Sequence, residues 1–211
     1  HGLLASFMAK PFMNEPGNGL HMHISMNNNN GQNIFDAGNN TDKNEASKTL
    51  INAIGGLMQL MPASMAFYAP NLNSYRRYTS ENCVTVSRSW GYENRTVAFR
   101  IPLAQEGNWR VENRVCGADA NPYLAMAATL AGIHYGMSNN IDPGDPSVNS
   151  IDQADPDLPF ELRTALDLCR KQEVLNEYFG EEFVTLYALH RRAELKEFER
   201  FISAREYDWY L

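Results

Sequence analysis

Two short stretches, Gly17-Asn18-Gly19-Leu20-His21-Met22-His23-Ile24-Ser25 and Arg110-Val111-Glu112-Asn113-Arg114, constrain the fold more than any other part of the chain. In an extended strand, alternate side chains point to the same face. The first stretch is a glycine-rich turn running into a strand that presents His21, His23 and Ser25 together. The second presents Arg110, Glu112 and Arg114 together. A fold built around both has to place an imidazole and a carboxylate among guanidiniums, which is equipment for holding a metal–polyphosphate complex.

Each half also has a plainer reading. An H-x-H pair on a strand aims two rings the same way, about 7 Å apart, twice the strand rise. Such rings either meet one bound assembly or pack with their nitrogens on backbone carbonyls. Gly17 and Gly19 favour the first reading, because glycine lets a backbone approach a ligand closely. Glu112 between two arginines is either an ion-pair ladder on a solvated strand, where each pair contributes less than about 1 kcal/mol, or part of an inward row that forms a positive slot. Such a slot calls for phosphates or a substrate carboxylate, both of which the arginine fork binds bidentately. Glu112 stays ionised in that company and serves Mg2+ or Mn2+, which prefer carboxylate ligands. Two ligands hold a divalent ion weakly, and no second cluster of inward carboxylates is evident in the sequence.

The 211 residues, 44% of them hydrophobic, suffice for one domain with a full core. A net charge of −7 argues against a general nucleic-acid binder. Seven arginines nevertheless fall between positions 76 and 114, so a local anion site is expected on an acidic shell. Three cysteines without framework spacing point to free thiols in a reducing, cytoplasmic compartment. No apolar run reaches the roughly 18–20 residues that span a bilayer, and no signal peptide is visible, so no membrane partner is expected. The chain lacks an initiator Met and its first residues read as the middle of a domain, so it is expected to be part of a longer protein. Neither G-x-x-x-x-G-K-[ST] nor G-x-G-x-x-G occurs. Ser25 lacks a G-x-S-x-G elbow, and Cys83 reads as a small apolar residue rather than a nucleophile.

Strands are predicted over 1–12, 20–26, 83–88, 95–103 and 109–115, with 33–35 returning after an Asn-Gly turn at 30–31. Asp42-x-x-Glu45 reads as a capping box opening a helix over 44–61. A further helix starts at Asn121-Pro122, with proline in its first turn, and runs to about Met137. Residues 142–159 read as a surface loop, and 160–176 and 181–205 as amphipathic helices. Strands first and helices later predict an α+β fold, an antiparallel sheet with packed helices.

These residues also resemble a known family. Phe7-Met8-Ala9-Lys10-Pro11 followed by Gly17 to Ser25, then Asn71-x-Asn73-Ser74-Tyr75-Arg76-Arg77, Asn94-Arg95-Thr96, Arg100-Ile101-Pro102, Arg110 to Arg114 and Ala120-Asn121-Pro122-Tyr123-Leu124 occur in the order seen in the catalytic domain of the glutamine synthetase superfamily. The likeness covers 1–211 and corresponds to the C-terminal half of such a protein, without its N-terminal β-grasp domain or the first part of its catalytic domain. It implies ATP-dependent joining of the glutamate γ-carboxylate to an amine through γ-glutamyl phosphate. It implies His21 and Glu112 as metal ligands, with His23, Ser25 and Arg110 against the nucleotide. Gly17, Arg77 and Arg114 would bind glutamate, and Arg95 and Arg100 would stabilise the phosphoryl group in transfer. Members form homo-oligomeric rings with active sites between subunits, so this piece alone is expected to be inactive.

Two departures bear on the acceptor. Ammonia-using members carry a flap glutamate where this chain has Cys83, with Glu81 out of register, and an asparagine where it has Pro16. Pro16 to His21 and Trp90-Gly91-Tyr92-Glu93-Asn94-Arg95-Thr96 look more like the γ-glutamylpolyamine synthetase branch. A polyamine or another primary amine therefore rivals ammonia. The lost flap carboxylate also leaves a second possibility, a non-catalytic relative kept as a binding or structural subunit.

Overall fold

The strands are held short by what each can pair with. The computed structural model describes residues 1–37, 46–79, 84–103, 108–149 and 153–211. Four three-residue strands, β1 (Met22–Ile24), β2 (Trp90–Tyr92), β3 (Phe99–Ile101) and β4 (Val111–Asn113), form one sheet in the order β1-β4-β3-β2. β4 is central and antiparallel to both β1 and β3. β2 and β3 run parallel, so the sheet is mixed, with one parallel pair beside the two antiparallel ones expected. The return between them, 93–98, needs no helix because both strands are so short.

Some predicted strands are absent, for identifiable reasons. Residues 1–8 alternate in sequence but pair with no strand among the described residues, and they are exposed. Residues 84–88 spend their hydroxyls locally: Thr85 Oγ1 donates to Ser87 O at 3.2 Å and Ser87 Oγ meets Ser89 Oγ at 3.0 Å. Such bonds compete with ladder formation. After the Asn-Gly turn only a single bridge forms, Asn27 with Asn33, since Asn33 Oδ1 accepts from Phe35 N at 2.9 Å and turns the chain.

Helix α1 (Lys48–Tyr68) is capped by Ser47, whose hydroxyl accepts from Leu50 N at 3.1 Å, and it continues through Pro62. The predicted Asp42/Glu45 box lies outside the described residues. α1 is long and apolar enough to cross a membrane, but 78% of its apolar window is buried against protein, as in the core helix of a globular domain. After α2 (Leu72–Tyr75), α3 (Pro122–Asn139) packs along α1. The two helices approach to backbone contact: a Cβ on Gly56 would lie 2.1 Å from Gly132 O, and one on Gly136 would lie 2.1 Å from Asn52 O. The charged C-terminal part forms α4 (Leu162–Lys171), α5 (Glu173–Phe179), α6 (Glu181–Glu199) and α7 (Ala204–Tyr210). The predicted helix over 160–176 breaks at Gln172, where ψ is 102°, and the one over 181–205 breaks before Ser203, which caps α7.

The core lies between the helices and the face of the sheet that carries Met22, Ile24, Phe99, Ile101 and Val111. One polar residue intrudes on that face. Asn113, fully buried, donates from Nδ2 to Thr129 Oγ1 at 3.0 Å and accepts at Oδ1 from Val115 N at 3.0 Å. Thr129 Oγ1 donates to Ala125 O at 2.8 Å and shares a 3.3 Å bond with Tyr68 OH. Cys116 and Cys169 are free and buried, and burial pushes the Cys169 thiol up to about 12.

Candidate active site

The opposite face of the sheet carries the charge. Register places His23 beside Glu112 and Glu112 beside Arg100, so β1, β4 and β3 each contribute one member of a single row. Glu112 is only 3% exposed. Its Oε1 lies 3.1 Å from His21 Nδ1, 3.5 Å from His23 Nε2 and 2.9 Å from Arg114 Nη1. Its Oε2 lies 2.6 Å from Arg100 Nε, but the two are not aligned as a hydrogen bond. Burial raises the Glu112 pKa, yet the hydrogen bond from His21 and the charges of Arg114 and Arg100 outweigh it and hold the carboxyl at about 2.

Arg110 Nε donates to His23 Nδ1 at 3.3 Å and its Nη1 to Asn108 O at 3.0 Å. Desolvation lowers the His23 pKa, and Arg110, Arg100 and His21 add to that against the pull of Glu112, so the ring is neutral near pH 7. Arg114 is lowered first by burial, then by the charges of Arg100 and Arg95, so Arg95 belongs to the same electrostatic cluster. Arg95 itself is exposed on a turn that Asn94 builds. Asn94 Oδ1 accepts from Thr96 N at 2.9 Å, while its Nδ2 donates to Ser147 O and Asn149 O, both at 3.0 Å. Ser25 is exposed at the end of β1, on the His21/His23 face.

Arg77 sits beneath the glycine turn rather than on the open face. It is 4% exposed; Nη1 donates to Val115 O at 2.9 Å and Nη2 to Arg114 O at 3.4 Å. A Cβ on Gly17 would lie 3.1 Å from the Arg77 stem, and one on Gly19 would lie 2.8 Å from Nη2 and 3.5 Å from His21 Nε2. Gly17 thus makes room for Ala9 O and the Arg77 stem, and Gly19 for the guanidinium, which fills the space between turn and strand.

Sequence reasoning missed how the turn is fixed. Lys10, 3% exposed, exchanges two bonds with Asn73: Lys10 N donates to Asn73 Oδ1 at 2.8 Å and Asn73 Nδ2 donates back to Lys10 O at 2.9 Å. Asn18 N then donates to Ala9 O at 2.8 Å. Both asparagines lie in stretches singled out by order alone, and nothing in their spacing announces the clamp.

The site is an open, arginine-rimmed face rather than a closed slot, with the His21 and His23 side chains 40% and 41% exposed. An imidazole and an ionised carboxylate suit Mg2+ or Mn2+ in kind. Among the described residues, however, no group of three or more His, Cys, Asp or Glu is arranged to hold a metal ion. Cys83 and Glu81 lie outside the described residues.

Comparison with known proteins decides the lineage. The family model "Glutamine synthetase, catalytic domain" matches residues 1–210. The chain belongs to the glutamine synthetase family. It is 44% identical over 213 residues to gamma-glutamylputrescine synthetase PuuA of Escherichia coli (strain K12), covering 100% of this chain and 44% of that protein. It is 34% identical over 215 residues to glutamate–isopropylamine ligase of a Pseudomonas species, covering 100% of this chain and 46% of that protein. A solved structure, apo GmaS without ligand, superposes with a TM-score of 0.81 at 31% identity, over 95% of this chain and 46% of that one. The chain thus spans less than half the length of these relatives. Glutamine synthetase family enzymes are in general ATP-dependent and need a divalent metal.

Proposed function

We propose that this chain forms part of an ATP-dependent ligase that joins the γ-carboxylate of glutamate to an amine through γ-glutamyl phosphate. One observation carries the reading: His21 and Glu112 meet at 3.1 Å on a face ringed by Arg95, Arg100, Arg110 and Arg114. Phosphoryl transfer asks mainly for positioning and for positive charge where negative charge develops. Arg110 and the neutral His23 line the nucleotide side, with Ser25 beyond them. Arg95, exposed on its turn, and Arg100 meet the phosphoryl group, while Arg114 faces the glutamate and the buried Arg77 holds the Gly17–Gly19 turn from beneath. His21 and Glu112 would hold one Mg2+ or Mn2+, which when bound would offset phosphate charge.

The acceptor is an organic amine, on the likeness to gamma-glutamylputrescine synthetase PuuA and glutamate–isopropylamine ligase. A homo-oligomeric ring and a cytoplasmic setting complete the proposal, the latter in keeping with the free thiols Cys116 and Cys169. A non-catalytic binding subunit is not favoured, because the charged groups are retained and brought together. The test is phosphate release from Mg-ATP and glutamate by the full-length protein, with putrescine or ammonium as acceptor. Turnover with putrescine exceeding that with ammonium is expected; no release with either amine overturns the proposal.

A further inference from the structure

We infer that Asn113 is a positioning residue for Glu112 and Arg114, acting from the opposite face of β4. The inference rests on the divalent-cation reading proposed above. Asn113 stands between Met22 of β1 and Phe99 of β3 in the sheet register, on a face otherwise packed with apolar side chains. An apolar residue would fill that place at no desolvation cost, whereas a buried carboxamide is tolerated only when its polar atoms are bonded. Replacing a bonded buried pair by apolar groups of similar shape is close to neutral for stability. Packing alone therefore gives no reason for asparagine here.

What the carboxamide does is fix the strand. Nδ2 ties β4 to Thr129 on α3, and through Thr129 to Tyr68 on α1. Oδ1 takes Val115 N, so the turn out of β4 is set two residues further on. Val115 O is in turn held by Arg77 Nη1 at 2.9 Å and Tyr78 OH at 2.8 Å. Glu112 and Arg114 flank Asn113 in sequence and project to the other side, so the pleat that Asn113 locks is the one that aims them. A satisfied buried network of this kind specifies one arrangement where apolar packing would allow several. Small rotations of β4 would open the 3.1 Å contact between Glu112 Oε1 and His21 Nδ1.

The experiment compares wild type, Asn113→Leu, Thr129→Val and the double variant in the full chain, at one neutral pH. Imidazole 15N shifts of His21 report its bond to Glu112 without any metal, selective broadening by Mn2+ alone reports the divalent site, and urea unfolding reports stability. Because Val115 N loses its acceptor whenever Asn113 is replaced, the double variant is expected to recover only the share lost at the Asn113–Thr129 pair, yet keep an altered His21 15N pattern and need roughly tenfold more Mn2+ for equal broadening. A wild-type His21 pattern in the folded double variant overturns the inference and leaves Asn113 a plain stabiliser. If Asn113→Leu does not fold, Thr129→Val carries the same expectation. Absence of Mn2+ broadening in the wild type sinks the divalent reading, while the metal-free His21 shifts still decide the role of Asn113.

Discussion

Glu112 is the residue on which the charged face depends, because among the described residues it is the anion that meets Arg100, Arg114 and two histidines. Removing one partner of a buried ion pair leaves an uncompensated charge, at a cost of about 3 kcal/mol or more. Glu112→Gln is therefore predicted to lower the urea unfolding free energy by that order, and an effect below about 1 kcal/mol would mean that water already screens Arg100 and Arg114. The pH dependence follows in sign. The carboxyl titrates near 4.5 in the unfolded chain and at about 2 in the fold. Its stabilisation is thus complete above the unfolded value and is lost as pH falls from there through about 2. The wild-type advantage over Glu112→Gln should shrink across that acid window and stay constant above it. Gly19→Ala is predicted to push Arg77 Nη2 off Arg114 O, since the new Cβ would lie 2.8 Å from it. Overpacking of this kind costs about 1–3 kcal/mol, and a crystal structure of the variant with Arg77 unmoved would count against it. At this scale the sequence was informative: alternation alone put His21 and His23 on one face and Arg110, Glu112 and Arg114 on another. It could not show that β4 lies between β1 and β3, which is what joins those two sets. Nor could it show Arg77 beneath the turn or Asn113 bonded to Thr129, because long-range contacts leave no local pattern.

Among the elements, α3 was read nearly as it stands, since its start carries local signals. Asn121 Oδ1 accepts from Tyr123 N at 3.0 Å and Leu124 N at 3.4 Å, and Pro122 occupies the first turn. Asn121→Ala should lower the thermal midpoint through the loss of about 1 kcal/mol of capping. Strand lengths were overestimated, because alternation marks a tendency while pairing limits the ladder to three residues each. The contact between α1 and α3 gives a prediction whose sign is instructive. Glycine to alanine inside a helix normally gains up to about 1 kcal/mol. At Gly56 or Gly136 the new Cβ would lie 2.1 Å from a backbone oxygen, so either helix must shift. Both substitutions are predicted to destabilise by more than about 2 kcal/mol in urea titrations, and a gain in stability would show that the helices slide apart freely.

The whole molecule leaves large apolar side chains exposed at its two ends. Leu3, Leu4, Phe7 and Phe12 are exposed at the start, and Phe198, Phe201, Trp209 and Tyr210 at the finish. Exposed large apolar side chains in such number promote association. Sedimentation velocity on the 211-residue chain should show concentration-dependent oligomers, and a monomer at all concentrations would contradict this. The same chain, offering two metal donors, is predicted to release no phosphate from Mg-ATP and glutamate by itself. The α+β class was legible from the order of strands and helices, whereas the parallel β2–β3 pair was not. Parallel strands ordinarily imply a long crossover, which the six residues from 93 to 98 do not resemble.

The charged row is divided among three strands, with His23 far along the chain from Arg100 and Glu112. No peptide cut from one region can reproduce it, and no part of it survives local melting of the sheet. Occupancy of the face is consequently felt by the entire cooperative unit. A ligand present at a hundred times its dissociation constant would protect the native state by about 2.7 kcal/mol. Heat denaturation is therefore a direct gauge of what the face accepts, needing no turnover at all.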